Sequence, residues 1–298
     1  MVWLRQLGSL LLTALLVFVA SKALIFMLPG DPIEVLMGET GVGLPVEELR
    51  VELGLDEPFH RSLVSDFRSM VTGDWGQSLF SRAPVGPQLW SAFKATLSLA
   101  GLTLFLALLM SLPLGLWGAH QSKGLGDAVV TAFGALMAAL PIPWVGPILI
   151  LIFCWKLQWF PLQDDIWLPA LTLALSYTGS WARLVRERTL ETLKEPWVLG
   201  ARSRGVSTWK VLLKYGLGPG LGGLLAYWGT QVGGLMSGTV ITEIIFGWQG
   251  LGSMMVDAVL SRDFPVIEAT LFLSTLMILL GQTVGNLLQR VWDPRLTS

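Results

Sequence analysis

The chain has few charged residues and almost none of the side chains that build metal centres. Only 14% of its 298 residues are charged, against about 25% in a typical soluble domain. The single cysteine, Cys154, excludes an internal disulfide bond and a thiolate metal site, and the two histidines stand apart in the sequence. Acidic and basic residues nearly balance, and this balance does not suggest nucleic-acid binding.

Catalytic motifs are also missing from the sequence. Residues 200–207, GARSRGVS, approach a phosphate-binding loop but carry Val206 where that loop needs a lysine. There is no His-Glu-x-x-His zinc helix and no Gly-x-Ser-x-Gly nucleophile turn. We therefore expect a protein that is not an enzyme and that binds no metal, ATP or other cofactor itself.

Long apolar runs account for most of the chain. Hydrophobic residues make up 53% of it, and its mean hydropathy is +0.63. A bilayer core about 30 Å thick needs about 20 apolar residues per helix. On this measure the sequence predicts an all-α, polytopic membrane protein with six spans, near residues 7–28, 95–117, 128–155, 166–185, 216–242 and 265–288.

Two of these spans contain residues that constrain their backbone. Pro141, Pro143 and Pro147 lack a backbone donor, so we expect them to interrupt the third span. The fifth span is rich in glycine, and residues such as Gly229 and Gly233, four apart, allow close approach of helices in lipid. We therefore expect the fifth helix to lie along a partner subunit or a translocation route.

The amino-terminal apolar run is predicted to be a membrane span rather than a secretory signal. It exceeds the apolar core of about 7–15 residues in signal peptides and ends in LPGDP, without a cleavage pattern. Lys22 lies near its end, where a lysine can extend its amine to the membrane interface, and we assign it no function.

Residues 29–92 form the one long hydrophilic segment, and most of its charge is acidic. Phe59, Leu63 and Phe67 recur four apart and predict a helix, and glycine and proline predict turns at residues 72–79 and 84–87. We expect an extracytoplasmic segment between a first helix over residues 1–28 and a five-helix core over residues 93–298.

Basic residues predict the orientation of the spans. With both termini in the cytoplasm, that side receives Arg5, Lys123, Arg290, Arg295 and the eight basic residues between Arg183 and Lys214. The opposite orientation would place the densest basic segment outside. We therefore predict a multi-pass protein of the cell membrane with cytoplasmic termini.

The basic loop, Glu195–Lys214, is the most informative segment. Pro196 favours the first position of a helix, Gly205 favours a left-handed end, and Ser207 can cap a second helix. We predict a short cytoplasmic helix with an apolar side and a polar side. The apolar side carries Trp197, Val198 and Ala201, and the polar side carries Arg202 and Arg204. An ordinary basic loop on the cytoplasmic side remains the alternative.

Motifs spread along the chain resemble those of the dipeptide, oligopeptide and nickel permease family of ABC importers. The core Ala-Arg-x-x-Gly at residues 201–205 is similar to that family's cytoplasmic coupling loop, here residues 190–214, although Leu199 and Gly200 replace its glutamate and first alanine. The other similar segments are LPGDP at 28–32, LGLDEP at 53–58, GDWGQS at 73–78, EIIFGWQGLG at 243–252, DAVLSRDFPV at 257–266 and DPR at 293–295.

The resemblance implies a type I importer permease fold and a set of partners. The partners are a second homologous permease forming a heterodimer, two ATPase subunits that use ATP and magnesium, an extracytoplasmic binding protein, and membrane lipid. The short helix would dock on an ATPase through Trp197, Val198, Ala201, Arg202, Arg204 and Gly205. Peptides are the expected substrates; nickel or another small solute is the less favoured possibility.

The resemblance also directs attention to the loop between the last two spans. Its candidate residues for translocation or for an outer loop are Glu243, Trp248, Gly250, Asp257, Arg262 and Asp263. Gln249 replaces a proline that the family often has there. An acid at membrane depth is often functional, so Glu243 is a candidate for gating or ligand contact; the favoured interpretation is that it lies at the outer end of the fifth span and is solvated or paired with Arg262.

Two other classes of function remain open on the sequence alone. An ATPase-independent secondary transporter or channel would favour ionisable residues near span centres and an inverted repeat, and neither is evident. An intramembrane enzyme would need a nucleophile or metal cluster within the spans, and Cys154 is better explained by packing.

Overall fold

The computed structural model describes residues 8, 12–20, 22–23, 59–161, 165–217, 224, 227–229, 231, 235 and 239–292. Regular structure in these residues is helical, apart from an isolated β-bridge between Gln77 and Pro84. The all-α prediction is therefore confirmed. Much of the predicted first and fifth spans lies outside the described residues, as do the motifs at 28–32, 53–58 and 293–295.

The described helices follow one another with short connections. Residues 12–20 form α1. The helices after it are α2 (Phe59–Thr72), α3 (Val85–His120), α4 (Leu125–Ala139), α5 (Ile142–Leu149), α6 (Trp167–Thr192), α7 (Pro196–Ser203), α8 (Thr208–Lys210), α9 (Thr239–Phe246), α10 (Leu251–Ser261) and α11 (Phe264–Trp292). A π-helix extends α5 over Ile150–Lys156, and another extends α8 over Val211–Leu217.

Several described helices have the length and composition of membrane spans. Among the described residues, α3 and the Phe264–Gly285 part of α11 each qualify as a single helix. Two pairs of consecutive helices with a sharp bend between them qualify only if each pair is counted as one span. They are α4 with α5 and its π-helical extension, and α9 with α10. The described part of the chain thus contains two to four candidate spans.

Helix α3 is longer than the second predicted span. It begins at Val85, so the prediction of a turn over residues 84–87 is wrong. Pro87 fits within the first helical turn because the backbone N–H groups there have no partner inside the helix. The predicted turns over residues 72–79 are confirmed, since Gly73 and Gly76 have φ angles of 85° and 71°.

The predicted interruption of the third span is confirmed at one of the three prolines. Helices α4 and α5 meet at an angle of 103°. Pro141 has an extended backbone at this break, whereas Pro143 lies in the first turn of α5 and Pro147 lies within that helix. A break in a membrane helix requires other groups to satisfy the freed backbone.

One compact unit combines Met1–Thr96 with Gln249–Leu279. Its apolar core packs α3 residues such as Leu89 against residues of α10 and α11. Phe18 of α1 is fully buried, and its ring centroid lies 5.7 Å from that of Phe67 and 6.1 Å from that of Phe272. Aromatic contacts therefore join α1, α2 and α11.

The second compact unit combines Leu97–Trp248 with Leu280–Ser298. One of its buried clusters surrounds Trp181 and Trp228 and includes residues of α3 and α6. Another lies beneath the basic loop and includes Val198 and Val211. Burial of these apolar side chains fixes the position of the basic loop on its own unit.

Two glycines bring helices of the second unit into backbone contact. A Cβ atom added to Gly229 would overlap Gly285 Cα, so the helical segments cross without room for a side chain. The prediction that Gly229 allows close helix approach is thus confirmed, with Gly285 as the partner.

We expect Gly229→Ala to lower the stability of the purified protein by about 1–3 kcal/mol, because the helices must separate to accommodate the methyl group. The matched control is Gly101→Ala, where the added Cβ has no neighbour within 4 Å. That change should be neutral or stabilise by about 0.5–1 kcal/mol, since alanine favours a helix over glycine. Thermal melting in detergent measures both variants, and equal effects at the two positions would refute the tight crossing.

Candidate functional site

The first helix of the basic loop begins as its sequence predicts. Glu195 has an extended backbone, with φ −65° and ψ 140°, and Pro196 occupies the first helical position of α7. Proline suits this position because the missing N–H would have no partner there. The backbone N–H groups of Val198 and Leu199 donate to Glu195 O at 3.0 and 3.3 Å. The predicted start of the helix is confirmed.

The predicted end of this helix at Gly205 is also confirmed. Helix α7 ends at Ser203, and Gly205 follows with a φ of 76°. Its N–H donates to Arg202 O at 2.9 Å, and the next N–H, of Val206, donates to Ala201 O at 3.4 Å. Space around Gly205 is open, so the left-handed backbone, not crowding, is what favours glycine here.

One face of α7 is buried against its own unit. Val198 and Ala201 are fully buried, and Val198 packs in a cluster with Leu193, Val211 and Leu212. These contacts hold the short helix on the rest of the chain. Val198 and Ala201 therefore serve as an internal anchor and are not accessible to another protein.

Trp197 does not share this buried face, which corrects the predicted apolar side. It is 44% exposed, and its ring centroid lies 6.0 Å from that of Tyr215. Successive helical residues are turned by about 100°, so Trp197 falls at the edge of the stripe centred between Val198 and Ala201. The bulk of its indole extends past that edge toward the surface.

The outer face of the basic loop combines large apolar and cationic side chains. Leu199 is 55% exposed and Trp209 is 51% exposed, and Arg202 and Arg204 of the same loop are also exposed. Neither arginine forms an ion pair with an acid of the described chain. Aromatic side chains with arginine are typical of protein interfaces. Leu199 and Trp209 were not predicted as site residues, although their bulk in a polar loop was a signal for them.

The second helix of the loop follows Ser207 as predicted, although the serine hydroxyl makes no capping bond. The N–H of Val211 donates to Ser207 O at 2.9 Å, and the backbone then continues as a π-helix to Leu217. Trp209 stacks on His120 with ring centroids 5.0 Å apart. This stacking joins the loop to the end of α3.

The helix before the basic loop is longer than the fourth predicted span. Helix α6 continues to Thr192, so Arg183, Arg186 and Arg188 are helical rather than part of a loop. Arg186 forms an ion pair of 2.7 Å with Asp127 at the start of α4. This ion pair joins the start of α4 to the part of α6 that precedes the basic loop.

Glu243, the candidate acid of α9, is fully buried. Thr239 and Thr242 of the same helix are buried with it. The interpretation that Glu243 is only solvated is therefore wrong, because no water-accessible surface remains on it. Its role in gating or ligand contact and its pairing with Arg262 stay predictions.

Trp248 follows α9 and packs into the core of its unit. Its backbone N–H donates to Glu243 O at 2.8 Å, and Gly247 before it has a φ of 64°. The Trp248 side chain packs against a buried cluster that contains Leu99 and Leu173. These contacts give Trp248 a structural role in ending α9.

Gly250 and Arg262 mark the two ends of α10. The N–H of Gly250 donates to Ser253 Oγ at 3.0 Å at the start of the helix, and Arg262 adopts a left-handed φ of 58° at its end. Asp257 lies between them and is exposed. Gly250 and Arg262 thus shape the helix ends, and Asp257 is the accessible acid of this segment.

Asp263 is buried and connects two motifs that are distant in the sequence. Its carboxylate accepts a bond from Ser78 Oγ at 2.5 Å and another from the N–H of Leu79 at 3.2 Å. The segment with the GDWGQS motif is thereby fixed to the start of α11. Its burial and these two bonds support a structural role for Asp263 rather than the translocation role that the sequence suggested. Ser78 was not predicted as its partner.

We expect Asp263→Ala to destabilise this unit by about 1.5–3 kcal/mol, because Ser78 Oγ and the Leu79 N–H lose a charged acceptor while buried. Asp257→Ala is the control, since an exposed acid should contribute within about 0.5 kcal/mol. Both values follow from thermal melting of the purified protein. Equal melting of the two variants would show that the Asp263 contacts are unimportant.

Lys22 forms a buried ion pair, contrary to its predicted extension to the membrane interface. Its Nζ lies 2.7 Å from Glu268 Oε1, and the two side chains are only 15% and 5% exposed. The contact links the residues after α1 to the first turns of α11. The sequence carries no signal that would pair two charges 246 positions apart.

Comparison with known proteins identifies similar chains over nearly the full length. A family model described as "binding-protein-dependent transport system inner membrane component" matches residues 111–298. The glutathione transport system permease protein GsiC of Salmonella choleraesuis (strain SC-B67) is 32% identical over 296 residues, 98% of this chain and 97% of that protein. The protein of the same name from Escherichia coli (strain K12) is 32% identical over 295 residues, 97% of this chain and 96% of that protein.

A solved structure shows the same fold at lower sequence identity. It is described as the crystal structure of an amino acid ABC transporter with histidines. The match has a TM-score of 0.56 and 19% identity, and it covers 76% of this chain and 98% of the other. At this identity the similarity concerns the fold alone, which is that of an ABC importer permease.

Proposed function

This chain belongs to the family of binding-protein-dependent transport system inner membrane components, and we propose that it forms half of the translocation pathway of an ATP-driven importer. It is a multi-pass membrane permease and a transport component rather than an enzyme. In general such permeases work with a second permease, an ATPase and a binding protein. Here we infer a heterodimer with a homologous permease, two ATPase subunits and an extracytoplasmic binding protein.

The outer face of the basic loop is the observation that carries this proposal. Helix α7 is anchored on its own unit by Val198 and Ala201, and it leaves Trp197, Leu199 and Arg202 exposed. A helix with one face packed on its own unit and the other face exposed can transmit the movement of a docked protein to the helices on which it packs. ATP-driven closure of the ATPase pair would thereby favour one packing of the permease over another.

Nucleotide chemistry is assigned to the ATPase partners. ATP and magnesium would be bound and used there, and this chain is proposed to hold no cofactor. Val206 in place of the phosphate-loop lysine supports this division, because the loop lacks the cation that contacts phosphates. The exposed Arg202 and Arg204 are then free to contribute to the rim of the docking surface.

For the topology we propose six spans with both termini in the cytoplasm. The first helix would lie within residues 1–28, the extracytoplasmic segment within 29–92 and the permease core within 93–298. Helix α6 is not among the helices that qualify as spans by length and composition, but it has 26 residues and its apolar part precedes the basic residues that favour the cytoplasm, which is the order a fourth span requires. This arrangement puts α7 on the same side as the ATPases.

We propose small peptides as the transported class. The relatives that cover almost the whole chain are named for glutathione transport, and glutathione is a peptide of three residues. Nickel is less favoured, because the only cysteine and the two histidines are spread along the sequence and do not suggest a metal path.

Reconstituted transport tests the proposed function. The chain, its partner permease and both ATPases would be placed in proteoliposomes and supplied with loaded binding protein. We expect uptake of glutathione or dialanine that requires ATP and persists when ion gradients are collapsed. Uptake that needs an ion gradient and no ATP would instead identify an ATPase-independent secondary transporter or channel.

A further inference from the structure

The end of helix α3 contacts the basic loop through a pair of stacked rings. His120 is the last residue of α3, and its ring centroid lies 5.0 Å from that of Trp209 in α8, with 29° between the ring planes. Trp209 is 51% exposed, and His120 is exposed as well. The stack is separate from the buried cluster beneath the loop, which contains neither residue.

Stability alone does not explain this pair. The cluster beneath the loop already joins Ala119 of α3 to Val198 and Val211 of the loop, and burial of these side chains holds the loop on its unit. Two exposed rings remove little further apolar surface from water. Their stacking instead fixes the orientation of the Trp209 ring against α3, while the exposed side of that ring stays accessible to a docked protein.

The part of α3 that carries His120 is packed tightly against two other helices. A Cβ atom added to Gly115 would lie 2.6 Å from Ala182 O of α6. A Cβ atom added to Gly118 would lie 2.9 Å from Val130 Cγ2 of α4. Close-packed elements transmit displacement to one another, because no space between them can absorb it. A movement of His120 is therefore passed on to α4 and α6.

The two exposed tryptophans of the basic loop have different aromatic neighbours. The ring of Trp197 in α7 lies 6.0 Å from that of Tyr215, centroid to centroid, and Tyr215 belongs to the π-helix that continues the loop. Trp209 instead contacts α3, which has the length and composition of a membrane span. The contact between Trp209 and His120 thus connects the outer face of the loop to a candidate span that is distant in the sequence.

We propose that His120 is a positioning residue for coupling, which stacks on Trp209 and thereby transmits the movement of the docked loop to α3. The inference rests on the proposed function and adds a contact through which that movement reaches the spans. Without the His120 ring, Val198 still anchors the loop and the loop still docks, but movement of α8 reaches α3 less efficiently. ATP is then hydrolysed with less solute imported.

The ratio of imported solute to hydrolysed ATP tests this role. The whole complex would be reconstituted in proteoliposomes with loaded binding protein, and uptake of glutathione or dialanine and release of phosphate would be measured in the same vesicles. We expect His120→Ala to lower the ratio about 2- to 10-fold, the effect that losing one contact between aromatic rings has on an equilibrium. A merely structural role would lower the amount of assembled complex and leave the ratio unchanged.

Three further variants show whether the ring contact itself is responsible. His120→Phe retains an aromatic ring and should restore the wild-type ratio. In a Trp209→Leu background, His120→Ala should change the ratio no further, because both residues act through one contact. Trp159→Ala is the matched control and should leave the ratio unchanged. Trp159 is 67% exposed and lies 5.7 Å from Phe153 between ring centroids, but it precedes α6, whereas the basic loop follows that helix.

The other outcomes overturn the inference. An unchanged ratio in His120→Ala, a loss that His120→Phe does not restore, or a further loss in the Trp209→Leu background means that the stack does not transmit the movement. A parallel fall of uptake and ATP hydrolysis would assign the pair to docking on the ATPase. Failure of the proposed function is recognised separately, because it appears in the wild-type complex as uptake that needs an ion gradient and no ATP.

Discussion

Trp197→Asp should abolish ATP-driven uptake while leaving the permease folded in the membrane. The side chain is 44% exposed on α7, so a carboxylate there remains hydrated and costs the isolated chain little. An aromatic residue at the centre of an interface commonly contributes 2 kcal/mol or more to binding, which is about 30-fold in affinity. Uptake by reconstituted vesicles and the amount of inserted protein are the two measurements.

Two variants on the same helix act as controls for Trp197→Asp. Trp197→Phe keeps an aromatic ring and should retain most of the uptake. Val198→Asp should instead lower the amount of folded protein, because it places a charge in the buried cluster beneath the loop. If Trp197→Asp transports like wild type, the exposed face of α7 has no part in coupling.

Lys22→Met should destabilise the protein by about 3–5 kcal/mol, the second large effect that the structure predicts. Glu268 is only 5% exposed, and the change removes the cation that lies 2.7 Å from its buried carboxylate. The same reasoning applies to Glu268→Met. The double variant Lys22→Met with Glu268→Met should recover most of the loss, since apolar residues can replace a buried ion pair at little cost.

An exposed ion pair supplies the control for the Lys22 variants. Arg188 and Glu191 are 3.1 Å apart, with side chains 51% and 62% exposed, so Arg188→Ala should cost less than about 1 kcal/mol. Melting temperatures in detergent rank the four variants. If the double variant melts as low as either single one, the loss comes from side-chain packing and the ion-pair account is wrong.

Local chemistry predicted the ends of the short helix in the basic loop. Pro196 and Gly205 act through their own backbone preferences, which do not depend on the rest of the chain. The same holds for the break at Pro141, although sequence alone did not distinguish it from Pro143 and Pro147. Proline in a first turn is tolerated, and only the structure shows where each turn lies.

Burial and long-range contacts were not predictable in the same way. The face of α7 depends on how the helix is rotated against Leu193 and Val211, and this rotation put Trp197 on the outside. The Ser78 contact with Asp263 joins positions 185 residues apart. Periodicity within one segment carries no information about such partners. The exposure of Trp197 and the contact between Ser78 and Asp263 are therefore visible only in the fold.

Site-specific cross-linking measures the central claim, that the outer face of α7 docks on an ATPase. In a Cys154→Ser background, a cysteine at position 199 or 202 would be treated with a short cross-linker in membranes that contain the whole complex. We predict a cross-linked product with the ATPase from both positions, and no such product from a cysteine at buried position 198. Equal absence of the product at all three positions, in a complex that imports solute, would contradict the account.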